Sequence, residues 1–140
     1  MTSQYLFVYG TLLPELAPLK MADTVGRLKL VGAATVRGRL YDLGDYPGAR
    51  LEGGGRIHGR VFEIEPVREL LKIFDAYEGF SRKQFAHSEF VRKKCRAVLG
   101  DGSRIGCWIY EYNRQPGSAK MIASGDYLVF KNRTAARTHY

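Results

Sequence analysis

Cysteine, histidine and proline are all scarce in this 140-residue chain, with two, three and five copies. Two cysteines, Cys95 and Cys107, are too few for a disulfide scaffold. The histidines, His58, His87 and His139, are too dispersed to form a local ligand set, so no metal is expected. Long apolar runs are missing as well. No segment approaches the roughly 20 residues that span a bilayer, and Met1-Thr2-Ser3-Gln4 lacks the basic start of a secretory signal. The expectation is a cytoplasmic protein with no membrane association. Gly53-Gly54-Gly55 lacks the Lys-Ser/Thr ending of a P-loop and the strand and helix that flank a dinucleotide loop. Acidic residues are outnumbered, 14 against 22 Lys and Arg, for a net charge of +8. Much of the excess lies in Arg92-Lys93-Lys94-Cys95-Arg96 and in a tail with Lys131, Arg133 and Arg137, without a helix-turn-helix, zinc-finger or RNP signature nearby. It reads as a solvated basic surface, with no specific nucleic-acid partner expected.

What remains is an ordinary globular composition, 45% hydrophobic, and a single domain is expected over residues 1–140. The chain is organised around Tyr5-Leu6-Phe7-Val8-Tyr9-Gly10-Thr11-Leu12. Aromatic and β-branched residues fit a packed pleated surface, so 5–9 reads as a central strand buried on both faces. Gly10 admits positive φ or a close approach to the backbone, Thr11 offers a hydroxyl, and consecutive amides at this turn can form an anion-binding nest. Residues 14–22 read as a helical turn or short helix, limited by Pro18. Glycine-punctuated strands then follow over 26–33 and 35–43, a pattern of a curling sheet. Asp45-Tyr46-Pro47-Gly48 has turn chemistry. Strand alternation returns over 57–64, and further strands are expected at 85–91, 96–99 and 104–112. Cys95 and Cys107 flank a hairpin turn at Gly100-Asp101-Gly102. A three-residue loop would set them opposite each other, and a two-residue loop would set Cys95 against Trp108. Trp108, Tyr110 and Tyr112 share one strand face, read as core packing.

The clearest helix covers 66–77, with Pro66 at its start and Val67, Leu70, Leu71, Phe74 and Tyr77 as its apolar stripe. Gly79 is a natural C-cap, which leaves Glu78 at the helix end. A carboxylate there meets the negative end of the macrodipole, and Tyr77, Gly79 and Phe80 surround it with apolar material. Both effects raise its pKa, and a carboxylate poised near neutrality can accept and return a proton.

The blocks Val8-Tyr9-Gly10-Thr11-Leu12, Gly38-Arg39-Leu40-Tyr41-Asp42-Leu43-Gly44 with Tyr46-Pro47-Gly48, Phe74-Asp75-Ala76-Tyr77-Glu78-Gly79, and Ser124-Gly125-Asp126-Tyr127 span nearly the whole chain in that order. In this the chain resembles the gamma-glutamylcyclotransferase-like family, which includes the AIG2-like and gamma-glutamylamine cyclotransferase proteins. The resemblance implies an α+β fold, a small mixed β-barrel with packed helices and a pocket at its mouth. It implies substrate binding at Tyr9, Gly10, Thr11 and Leu12, with Glu78 as the catalytic carboxylate. The chemistry implied is attack by the α-amine of a γ-glutamyl group on its own side-chain carbonyl, giving 5-oxoproline and a released amine. The implied partner is a small γ-glutamyl compound, and no cofactor is called for. Leu13-Pro14-Glu15 departs from the basic residue and glycine found in many relatives, and Tyr127 stands where many carry tryptophan. A non-catalytic ligand-binding protein of the same fold is the second functional reading, and a basic nucleic-acid-binding module the third.

Overall fold

The protein's computed structural model describes residues 3–65 and 68–137. Its strands are β1 (Gln4–Val8), β2 (Lys29–Arg37), β3 (Arg39–Asp42), β4 (Pro47–Arg50), β5 (Arg56–Ile64), β6 (Phe90–Leu99), β7 (Arg104–Tyr112) and β8 (Lys120–Met121). Three α-helices accompany them, α1 (Ala22–Gly26), α2 (Arg68–Glu78) and α3 (Tyr127–Arg137).

The sheet runs in the order β1-β5-β2-β6-β7-β4-β3-β8, and a parallel pairing of β1 with β7 at Leu6 and Trp108 closes the first five strands into a barrel. Strands β4, β3 and β8 extend from β7 as a flap. This is the mixed-sheet barrel with packed helices expected from the sequence. The apolar opening strand has its edges paired by two neighbours, and its faces are buried at Phe7 by the barrel interior and at Leu6 and Val8 by the cluster that includes α2.

Two clusters of apolar side chains use the two faces of that sheet. Phe7, Ala34, Val36, Ile57, Val61, Ala97, Cys107 and Ile109 come from all five barrel strands and fill the barrel. On the opposite face, Leu6, Val8, Phe62, Ile64, Phe90 and Tyr110 pack with Leu70 and Phe74 of α2. Leu70 and Phe74 are fully buried, with Leu71 and Tyr77 partly so, which is the expected stripe; its first member Val67 and the expected initiator Pro66 lie outside the described residues. Gly79 ends α2 at φ +72, with the Gly79 amide donating to Ala76 O and the Phe80 amide to Asp75 O. These two bonds make a Schellman motif, a conformation glycine adopts without a Cβ penalty.

The structure differs from the sequence reading at several connections. Residues 14–16 form a turn, with the Leu16 and Ala17 amides on Leu13 O, and helix appears only at Leu19–Met21 and α1. Strand β2 runs through the expected break near 34, with a bulge between Leu30 and Gly32, and the expected strand over 35–43 is divided at Gly38 into the end of β2 and β3. The turn expected over 45–48 lies earlier. The Leu43 amide donates to Tyr46 O and the Gly44 amide to Asp42 Oδ1, freeing Pro47 and Gly48 to start β4 against β3. Proline is tolerated at the first residue of a strand. Phe85–His87 is a 3-10 turn, and β6 runs unbroken through the basic segment instead of dividing at it. At the hairpin, Leu99 and Ser103 close a three-residue loop, so Cys95 faces Cys107 directly.

The basic segment is exposed at Lys93, Lys94 and Arg96, as expected of a solvated surface, but most of its charges are also engaged. Its alternating positions find partners on both faces of the hairpin: Arg92 Nε lies 2.8 Å from Asp75 Oδ1, Lys93 Nζ 2.6 Å from Glu111 Oε1, and Lys94 Nζ 4.1 Å above the Trp108 ring. No helix among the described residues is long and apolar enough to cross a membrane.

Candidate active site

Strand β1, the end of α2, the turn before β4 and the start of β6 converge on one cavity of about 230 Å³. Its walls include Tyr9, Gly10, Thr11 and Leu12 from the opening loop, Tyr77 and Glu78 from α2, Tyr46 and Pro47 from the flap, and Glu89, Phe90 and Tyr110 from the β6–β7 region. All five residues singled out for substrate binding and catalysis therefore meet in one place. No Lys, Arg or His is among the described residues lining it.

The loop takes its shape from a succession of turns after Gly10, beginning with the Leu13 amide donating to Gly10 O at 2.9 Å. Among the described residues, the amides of Gly10, Thr11 and Leu12 make no hydrogen bond. Of the two uses expected of Gly10, positive φ and a close approach to the backbone, the structure shows the second. A Cβ at this position would come within 2.7 Å of Pro47 Cγ, so the glycine lets the flap close against the loop. Thr11 Oγ1 receives the Tyr77 hydroxyl at 3.0 Å, tying the loop to α2. Tyr9 is used differently. Its hydroxyl donates to Tyr110 O at 2.6 Å and accepts the Ala49 amide at 3.2 Å, spending its polar atom on joining β1, β7 and β4. Burial, reinforced by the nearby Glu78, pushes its pKa well above the ordinary value, so it stays a neutral structural group.

Glu78 is half-buried in the cavity wall and makes no hydrogen bond or ion pair among the described residues. Burial first, and the Glu89 carboxylate second, push its pKa up to about 8. The direction is the one expected, but the second contributor is a carboxylate from another element rather than the helix end. Glu89 is itself held by the Tyr46 hydroxyl, and this bond, with burial, raises the Tyr46 pKa to about 12.

A second set of contacts fixes the helix that carries Glu78. Asp75, one turn earlier, accepts from Arg92 Nε at 2.8 Å and from the Tyr110 hydroxyl at 2.6 Å. The Arg92 side chain is only 9% exposed, and its guanidinium also lies 4.3 Å from the Trp108 ring centroid. Residues i and i+3 share a helix face, so this clamp sets the height and rotation of Glu78. Sequence reasoning did not single out Tyr46, Glu89 or Asp75 for the site. Tyr46 and Asp75 stood within the quoted blocks; Glu89 carries no local signal and is found only by where β6 begins.

This combination defines a class: a small closed barrel whose pocket, among the described residues, has no cationic side chain and is lined both by a carboxyl group without a hydrogen-bond partner and by a loop whose amides make no hydrogen bond. The chain belongs to the family described as "Gamma-glutamyl cyclotransferase, AIG2-like", which matches residues 6–129. It is 30% identical over 124 residues to the gamma-glutamylcyclotransferase family protein YtfP of Escherichia coli (strain K12), an alignment covering 88% of this chain and 95% of the relative. The solution structure of ytfP from Escherichia coli superposes with a TM-score of 0.62 at 29% identity, covering 89% of this chain and 96% of that one. An AIG2-like protein of Mus musculus has the same fold, with a TM-score of 0.64 at 17% identity and coverage of 84% and 82%.

Proposed function

We propose that the protein cyclises the γ-glutamyl group of a small amine or peptide to 5-oxoproline and releases the amine, with Glu78 as general acid and base. The observation carrying this reading is Glu78 itself: a carboxyl group without a hydrogen-bond partner among the described residues, in a cavity, with a pKa of about 8.

The substrate's α-ammonium passes a proton to the Glu78 carboxylate, and the freed amine attacks the γ-carbonyl carbon of the same molecule. A tetrahedral intermediate forms. Glu78 then returns that proton to the departing nitrogen as the carbon–nitrogen bond breaks, accepts the second proton that the attacking nitrogen sheds to become the lactam N–H, and passes it to the released amine, so one group serves every transfer and ends as it began. Since nucleophile and electrophile belong to one molecule, much of the barrier is removed by holding the substrate folded. The amides of Gly10, Thr11 and Leu12 are suited to bind the substrate carboxylate or the developing oxyanion, because they carry no other acceptor among the described residues. Thr11 and Tyr77 brace that loop against the helix. Every proton and bond is accounted for by substrate and protein side chains. Incubating the protein with a panel of γ-glutamyl amines and peptides and measuring 5-oxoproline tests the reading: release from at least one compound is expected, and binding of members of the panel without any release favours the non-catalytic alternative.

A further inference from the structure

The β6–β7 hairpin sets the chain's two cysteines face to face, on positions that do not line the Glu78 cavity. Cys95 and Cys107 are register partners with their sulfurs 3.5 Å apart, and both are free thiols. Antiparallel partners have Cα atoms about 4.5–5.5 Å apart, within the span a disulfide bridges. The two sulfurs differ in access. Cys107 is fully buried in the barrel core, whereas Cys95 is half-buried and lines a surface groove of about 490 Å³. That groove also carries Arg37, Lys94 and Arg96 against a single carboxylate, Glu52, which is engaged by Arg50 at 3.3 Å.

We propose that Cys95 and Cys107 form a thiol–disulfide exchange site that accepts small anionic disulfides and closes to an intramolecular disulfide. Cys95 is the entry thiol, since it alone reaches the groove. Its thiolate attacks one sulfur of the small disulfide, that bond breaks, and the departing thiolate takes up a proton. Cys107, as thiolate, then attacks Cys95 Sγ, forming the protein disulfide and expelling the second small thiolate, which is protonated in turn. Two protein thiols are oxidised, one small disulfide is reduced to two thiols, and both protons end on those thiols. The two sulfurs, 3.5 Å apart, share a hydrogen bond that stabilises a single thiolate on the pair, and the Lys94 ammonium favours the thiolate on either sulfur. At rest the proton stays with Cys95, so the entry step draws on the form in which that proton has moved across the contact to Cys107. The cations of the groove attract an anionic disulfide and leave a neutral one unassisted.

The test uses the reduced native protein, glutathione disulfide as the anionic probe and 2-hydroxyethyl disulfide as the neutral one, read by intact mass and by counting alkylatable thiols. The wild type should lose a pair of hydrogens, with free thiols falling from two to none and returning on treatment with a dithiol. Cys107→Ser should stop with one glutathionyl group on Cys95, and Cys95→Ser should stay unmodified while folded. At low salt the anionic probe should react several-fold faster than the neutral one. Persistence of both wild-type thiols, arrest of the wild type at a mixed disulfide, or equal rates with the two probes would each overturn the proposal. The wild-type measurements decide it even if a cysteine variant does not fold.

Discussion

Glu78 has two sources of its raised pKa, and they are separable. Burial is the larger and Glu89 the smaller, against a folded value of about 8. A carboxyl group raised above its unfolded value binds its proton more tightly in the native state. Its contribution to stability is therefore present at low pH and is lost as pH rises from about 4.3 towards the folded value, where the curve levels. Denaturant midpoints measured across about pH 5 to 8 should fall in the wild type and fall less in Glu78→Gln. Glu89→Gln should move the basic end of that decline, and the pH at which activity appears, downward. An unchanged profile in Glu89→Gln would show that burial alone sets the Glu78 value. Gly10 makes a steric claim instead. In Gly10→Val the new Cβ meets Pro47 Cγ at 2.7 Å, and the overpacking should cost about 1–3 kcal/mol in denaturant unfolding while separating flap from loop. Unchanged stability and ligand affinity would contradict it. At this scale the sequence named the loop and Glu78 but not Glu89. The first two stand in local patterns of strand, turn and helix cap, whereas Glu89 reaches the cavity by the course of β6.

Helix α2 is held to the barrel through Asp75, and that contact links the fold to the geometry of Glu78. Asp75→Ala leaves the Arg92 guanidinium, 9% exposed, without its carboxylate and the Tyr110 hydroxyl without its acceptor. Breaking a largely buried pair from one side should cost about 3–5 kcal/mol, measured by denaturant unfolding. Asp75→Asn keeps an acceptor for Tyr110 and should lose less stability, yet lower turnover more than substrate affinity if the clamp positions Glu78. Equal stability of wild type and Asp75→Ala would remove the clamp from the account. The elements themselves were legible to differing degrees. Helix α2 showed its stripe and cap in sequence because Leu70 and Phe74 recur at helical spacing and Gly79 supplies the terminal conformation. Strand β4 was hidden because Pro47 and Gly48 are turn residues by propensity, and it is pairing with β3 and β7 that makes them extended. Likewise the 3-10 turn at Phe85–His87 interrupts a run whose aromatic content reads as strand.

Across the whole molecule, a net charge of +8 surrounds a pocket that has acidic but no basic side chains among its described lining residues. The surplus is partly committed: Arg92, Lys93 and Lys94 are engaged by Asp75, Glu111 and Trp108. Any oligonucleotide binding should therefore be weak, without sequence preference, and should fall steeply between low and physiological salt in a titration. Sequence-selective binding that survives physiological salt would contradict this assignment. The barrel's closure was legible only as a tendency to curl, read from glycines within strands, while the parallel contact between β1 and β7 joins residues 102 positions apart and leaves no local trace. The account's central claim is that Glu78 carries the proton transfers of a γ-glutamyl cyclisation. Its most direct test compares 5-oxoproline formation by wild type and Glu78→Gln, with substrate affinity measured alongside. Gln keeps the shape of the side chain but cannot serve as the base, so turnover should fall by about 10²–10⁴-fold while affinity changes little and the fold is retained. Near-normal turnover in a folded Glu78→Gln protein would contradict the account, because another group would then be moving the proton.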